Sequence, residues 1–163
     1  MKPQVATEAD VADLVALRNA ASEHLTLQFG KGPWSGKGTE RGALFGMTRS
    51  TVYIFRRRRR LIATFALTMR KPWAIDTSYF TASRRPLYLI GMAVDPKEQR
   101  KGIGRQCLEQ ASRMAKKWPA DAIRLDAFDA EAGADEFYRK CGFREVGRVR
   151  YRDNPLIYFE MLV

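Results

Sequence analysis

Hydrophobic residues recur along this chain with two different periods, and the switch between them marks out its elements. Leu87, Tyr88, Leu89, Ile90, Gly91, Met92, Ala93 and Val94 form an unbroken apolar run. Such a run predicts a strand covered on both faces, with Gly91 the place for a bulge. From residue 103 the period becomes helical. Ile103, Cys107, Leu108, Ala111, Met114, Ala115 and Trp118 fall on one face, and Arg105, Glu109 and Arg113 form a charged i, i+4 row on another. Pro119 fits the end of that helix. Upstream, Val11, Leu14, Val15, Arg18, Ala21 and Leu25 follow at roughly helical spacing behind Thr7 and Asp10, which read as a variant capping box. Residues 39–49 predict a second short helix. Apolar runs at 51–55 and 61–69 predict a hairpin, and further strands are expected at 123–128, 145–151 and 156–163, the last two joined through Asp153, Asn154 and Pro155. Gly30, Gly32, Gly36 and Gly38, around Pro33 and Trp34, read as a mobile loop. Residues 72–86 read as an irregular segment beside a strand end. Neither a repeat nor a linker interrupts the pattern, so residues 1–163 are expected to form one domain.

Composition narrows the class. A chain of 163 residues with 45% apolar content can bury a core, which excludes a disordered chain. No segment approaches the roughly 18 uncharged apolar residues of a membrane span. The start, with Lys2, Glu8, Asp10 and Asp13, lacks the apolar centre of a signal peptide. A cytoplasmic protein with no membrane partner is the expectation. His24 is the only histidine, and Cys107 and Cys141 sit among apolar residues, so no metal-ligand spacing is present and both cysteines read as core. The net charge of +11 would attract nucleic acid or a polyanionic small molecule. Its densest block is the five consecutive arginines from residue 56 to residue 60. These either solvate a hairpin turn or strand end, form a patch for an acidic partner or acceptor, or contact a cofactor.

The candidate chemistry lies where the strand at 87–94 gives way to the helix at 103. Asp95, Pro96, Lys97, Glu98, Gln99, Arg100, Lys101, Gly102, Ile103, Gly104 and Arg105 form a polar turn carrying two glycines. The first N–H groups of a helix lack intrahelical partners, and the helix dipole adds partial positive charge there. Gly102 and Gly104 let a ligand approach the backbone. A phosphate-bearing ligand is therefore expected at this turn. A dinucleotide fingerprint would need glycine at Cys107. A P-loop fails at Gly36-Lys37, which is followed by Gly38 and preceded by Lys31 in place of the first glycine.

The pattern that does match is Gln/Arg-x-x-Gly-x-Gly/Ala, filled by Gln99, Gly102 and Gly104. It resembles the coenzyme A pyrophosphate loop of the GNAT superfamily of N-acyltransferases. About thirty residues downstream, Ala134, Phe137, Tyr138, Gly142 and Phe143 are similar to that family's second segment. The opening at Val5, Thr7 and Asp10 is similar to the family's short first strand and capped helix. With these pieces the order is β-α-α-β-β-β-α-β-α-β-β, which suits an α+β domain with a central mixed, mostly antiparallel sheet flanked by helices.

The resemblance implies an acetyl-CoA-dependent N-acetyltransferase. It implies that the strands at 87–94 and 123–128 splay apart around the pantetheine arm, with Met92, Ala93 and Val94 offering backbone groups. It places the pyrophosphate on residues 99–105, Gln99, Arg100, Lys101, Gly102, Ile103, Gly104 and Arg105, and puts Tyr138 in the role of acid toward the leaving thiolate. Beside Phe137, Tyr138 could instead be a core aromatic. Family members often carry Asn where this chain has Glu131, which is assigned no role. Asp126, Glu40, Asp76 and His24 are all possible proton acceptors, as is a water chain. The expected acceptor is a small-molecule or peptide amine; by position the loop of Trp34 and residues 73–79 could wall its site, or their aromatics could fill the core. Three alternatives stay open: another acyl-CoA, coenzyme A binding without chemistry, and a nucleic-acid-binding basic domain.

Overall fold

Each predicted period becomes an element in the computed structural model, which describes residues 1–163. In chain order these are β1 (Gln4–Val5), α1 (Val11–Phe29), α2 (Glu40–Arg49), β2 (Thr51–Arg57), β3 (Arg60–Thr68), β4 (Pro86–Val94), α3 (Ile103–Lys117), β5 (Ala122–Phe128), α4 (Asp135–Lys140), β6 (Arg144–Tyr151) and β7 (Asn154–Leu162). The strands form one sheet in the order β1-β2-β3-β4-β5-β7-β6. All neighbours are antiparallel except β4 and β5, which α3 connects as a parallel crossover. The fold is the GNAT architecture, α+β with a mixed sheet between helices.

Alternation along the inner strands sorts the core into two layers. Phe55, Phe65, Leu67, Leu89 and Leu125 pack with Ile103, Cys107 and Ala111 of α3 and with Tyr138 of α4. Val52, Ile54 and Ala66, on the opposite face, pack with Leu14 and Leu17 of α1. Strands sandwiched in this way read as near-continuous apolar runs. Phe65 is fully buried, and its truncation to alanine would cost about 3–5 kcal/mol. Cys107 belongs to the first layer, and burial pushes its thiol pKa up to about 12, so it is an inert core group.

The arginine block divides between strand ends and turn, and two later segments differ from expectation. Arg56, Arg57 and Arg60 are strand residues, and only Arg58 and Arg59 make the β2–β3 turn, with Arg58 in the left-handed region at φ 57°. The β6–β7 turn is Arg152-Asp153, both at positive φ, so Asn154 and Pro155 open β7 instead of forming the loop. Positive φ at both central residues matches the twist of a two-residue hairpin. Residues 72–86 do more than border a strand end. Ile75 and Phe80 close over Tyr88 and Tyr158, forming a third apolar cluster.

The pairing of β4 with β5 stops early. Only Pro86, Leu87 and Tyr88 pair, with Ala122, Ile123 and Arg124. Beyond that point the two strands part, β4 running on to Val94 and β5 to Phe128. Exposure follows the split. Leu87, Tyr88 and Leu89 are buried, whereas every β4 residue from Ile90 onward is at least partly open to solvent, and Gly91 is fully exposed. In β5 the change comes at Asp126. A bulge in the β3–β4 ladder, with Gly91 at φ +59°, kinks β4 where the gap opens.

Candidate active site

The turn between β4 and α3 presents a continuous row of unused donors. No N–H from residue 99 to residue 105 donates a hydrogen bond within the chain; the first α3 donor in use is Gln106, to the Gly102 carbonyl. Gly102 takes the left-handed conformation at φ +80°, and a Cβ there would meet open space. Its glycine answers a backbone requirement. Gly104 serves differently from the sequence expectation of bare ligand access. A Cβ there would stand 2.9 Å from Cζ of Phe137, so this glycine lets α4 close onto α3. Gln99 folds back, its side-chain amide donating to the Val94 carbonyl at 3.1 Å. The cations divide. Arg100 is exposed, Lys101 reaches Glu98 at 3.5 Å, and Arg105 leans on the Lys140 carbonyl.

Glu98 explains much of the arginine block. Its buried carboxylate accepts from Arg57 and Arg60, both at 2.8 Å, and Arg60 also meets Asp95. Arg56 bridges Asp10 and Asp13 at the start of α1. Three of the five arginines therefore tie the hairpin end to the anion turn and to α1. Arg58 and Arg59 remain at the exposed tip.

Met92, Ala93 and Val94 line the β4 side of the gap. The Asp95 N–H bonds Ile62 of β3. Bonding direction alternates along an antiparallel ladder, so the N–H of Ala93, opposite Thr64, also points to β3 and that of Val94 points into the gap. The Tyr138 ring is packed among Phe137, Phe143 and Phe159, while its hydroxyl reaches only the Met92 sulfur, at 3.9 Å. The ring is thus core, and the hydroxyl lies beside Met92 of β4. Burial, reinforced by the charges of Asp126 and Cys141, raises the phenol well above its ordinary pKa, so it stays protonated. Burial likewise raises the Asp126 carboxyl. Of the four candidate proton acceptors, Asp126 is the one on the open half of β5. Glu40 and His24 are exposed, and Asp76 is occupied with capping Ser78. Glu131 is exposed, in keeping with its having no role.

The loop of Trp34 is pinned. Asn19 bonds both the N–H and the carbonyl of Gly38, Ser22 donates to the Trp34 and Gly36 carbonyls, and Thr26 meets Ser35. Trp34 then stands edge-on to Phe128 at the tip of β5, 5.9 Å between centroids. Residues 73–79 border a separate cavity of about 380 Å³ with Val149, Tyr151 and Tyr158. Another cavity, of about 480 Å³, lies between α1 and the tip of the β2–β3 hairpin, lined by Asp13, Leu17, Arg59 and Asp95. No group of three or more His, Cys, Asp or Glu is arranged to hold a metal, and no helix is long and apolar enough to cross a membrane.

One residue escaped the sequence reading. Arg18 occupies the core-facing row of α1, four residues after Leu14, and its guanidinium reaches across to Gly91. A cation in an apolar helical row was the available signal.

A parted β4–β5 pair beside a row of free amides defines an acyl-CoA transferase architecture. Residues 17–143 match the acetyltransferase (GNAT) family, and the chain belongs to that family. No curated protein sequence matches it. Among solved structures it is similar to the ribosomal-protein-alanine N-acetyltransferase of Brucella melitensis, with TM-score 0.75 and 19% identity over 100% of both chains. It is similar also to yncA from Salmonella typhimurium, solved with its cofactor acetyl-CoA, with TM-score 0.69 and 16% identity over 99% of this chain and 93% of that one. A third is the aminoglycoside 6'-N-acetyltransferase of Acinetobacter haemolyticus, with TM-score 0.69 and 21% identity over 93% of this chain and 96% of that one.

Proposed function

We propose that the chain transfers an acetyl group from acetyl-CoA to a primary amine by direct attack. The observation that carries this reading is the unbroken row of free N–H groups at residues 99–105, beside the parted end of β4, where the Tyr138 hydroxyl meets Met92. The fit is chemical as well as spatial. A diphosphate wants several convergent donors and positive potential, and a helix N-terminus supplies both. Arg100 adds an uncommitted cation. The pantetheine arm would lie along β4, its amides meeting the N–H of Val94 and backbone groups near Met92.

Acetyl-CoA supplies an activated acyl carbon when bound. A gap-facing N–H of β4 stabilises the negative charge that grows on the thioester oxygen. The amine nitrogen forms its bond to the acyl carbon as the carbon–sulfur bond breaks. Asp126, directly or through water, takes the proton the amine loses, and Tyr138 gives its proton to the departing sulfur. The proton on Asp126 then restores the phenol, so the products are an amide and a free thiol. No nucleophilic side chain is required.

The test is calorimetric titration with acetyl-CoA, followed by thiol release across a panel of amines. Binding that is lost in Gly102→Val, with the fold retained by circular dichroism, supports the reading. Acetyl-CoA that fails to bind the wild-type chain would overturn it.

A further inference from the structure

Only three arginines of this chain are shielded from solvent, namely Arg18, Arg56 and Arg124. Arg56 meets two carboxylates. Arg124 donates to the Thr81 carbonyl and the Tyr88 hydroxyl and stacks on Phe80. Arg18 meets nothing: its Nε is buried without a hydrogen-bond partner, and no ion pair reaches its guanidinium. Burial is the sole influence on its pKa, so no carboxylate of the protein lies close enough to balance it. A guanidinium does not give up its proton in a protein. The chain thus carries a partly buried, permanently charged donor fork with no partner in the protein.

Its position suggests why. One terminal nitrogen, Nη2, lies 3.4 Å from the point a Cβ of Gly91 would occupy. Gly91 is the exposed bulge residue of β4, next to Met92, whose sulfur touches the Tyr138 hydroxyl. Asn19 and Ser22, also on α1, hold the Trp34 loop. Arg18 on the α1 face and Tyr138 on the α3–α4 face thus flank the parted strands from opposite sides, meeting at consecutive β4 residues. The fork is too deep to serve the cofactor's diphosphate: Val94 is three residues nearer the anion turn, about 10 Å along a strand.

We propose that Arg18 binds a carboxylate on the amine acceptor. This deepens the acetyl-transfer reading and rests on it. The planar fork matches a carboxylate in bidentate fashion, and one strand residue spans only about 3.3 Å. A carboxylate and a reacting nitrogen a few bonds apart would bridge the two faces at this point of β4. The acceptor class is a small aminocarboxylate, such as a free amino acid, in preference to a polyamine or an amino sugar.

The experiment compares free amino acids with their carboxamides, with a phosphate-bearing amine and with a short peptide, using wild-type chain and Arg18→Met. Wild type should favour the carboxylate over its amide by about ten- to a hundredfold in kcat/KM, the scale of hydrogen bonds to a charged group. Arg18→Met should lower the carboxylate to the level of its amide while acetyl-CoA affinity by calorimetry stays the same. A preference that survives in Arg18→Met, or a wild-type enzyme that acetylates polyamines, the phosphate-bearing amine or peptides better than amino acids, would overturn the proposal. If no amine is acetylated, the acetyl-transfer reading fails by itself. Arg18 is then judged by whether millimolar amino acid raises the Tm of wild type but not of Arg18→Met; equal shifts, or none, would overturn it.

Discussion

The two halves of the β4–β5 pair are built from the same strands and solve opposite problems. At the closed half, where Tyr88 pairs with Arg124, most buried polar groups find partners within the protein, the Arg124 Nε excepted. Arg124 is held by Tyr88 and Thr81, and Glu160 by Thr81 and Arg144. At the open half the polar groups are left unsatisfied. The Tyr138 hydroxyl has only a sulfur, Arg18 has no partner, and the amides at residues 99–105 are free. Unmet polar groups in a folded interior are costly. The free amides, the Tyr138 hydroxyl and Arg18 lie toward the open end of the strand pair, where the proposed ligand would supply partners. Stability and function are thus assigned to opposite ends of β4, and substitutions should separate them.

The largest separation is expected for Tyr138→Phe. It should lower turnover by roughly ten- to a thousandfold with little change in Tm, measured by thiol release and thermal melting. Undiminished turnover, with chemistry shown to limit the rate, would take the hydroxyl out of the mechanism. At the closed half the reverse is expected. Glu160→Ala should cost about 2 kcal/mol, the scale of hydrogen bonds to a charged group, yet leave kcat per folded molecule intact. Burial acts to raise the Glu160 pKa, but the bonds from Thr81 and Arg144 outweigh it and hold the pKa below the ordinary 4.5. Its contribution to stability is therefore present above that value and lost as pH falls through the depressed one. A urea titration series across pH reads this directly.

Smaller effects refine the comparison. Gly102→Val forces a β-branched residue to φ +80° and should weaken acetyl-CoA by at least about tenfold without touching the closed half. Asp126→Asn should be the mildest for stability and carry an unusual sign. Burial raises the Asp126 pKa above 3.8, so the folded state holds more protons there than the unfolded state. Wild-type stability falls as pH rises through that window, and the variant escapes the fall. At pH 7 the variant should melt higher than wild type while transferring acetyl groups more slowly, and the two should converge below about pH 4. A lower melting point at neutral pH would mean that the carboxylate stabilises the fold.

Local periodicity made the element order legible. The apolar run into β4 and the two glycines before α3 stood out because both are local signals. The splay did not, since whether β4 stays beside β5 after Tyr88 depends on groups brought together only by folding. The arginine block was misleading for the same reason. Arg57 meets Glu98 across 41 positions, a partner that composition does not indicate. Arg18 was visible as an arginine in the apolar row of α1, but its lack of a partner is a three-dimensional fact.

The contact of Gly104 with Phe137 has a mechanical consequence. The helix whose first turn would grip one end of a long thioester touches, ring edge to bare Cα, the short helix carrying the hydroxyl for the other end. That contact works as a fixed gauge, setting the interval between the free amides and the Tyr138 hydroxyl. A methyl group added at residue 104 would lengthen the gauge by prying α4 outward, and a thioester of unchanged length would then fall short of Tyr138.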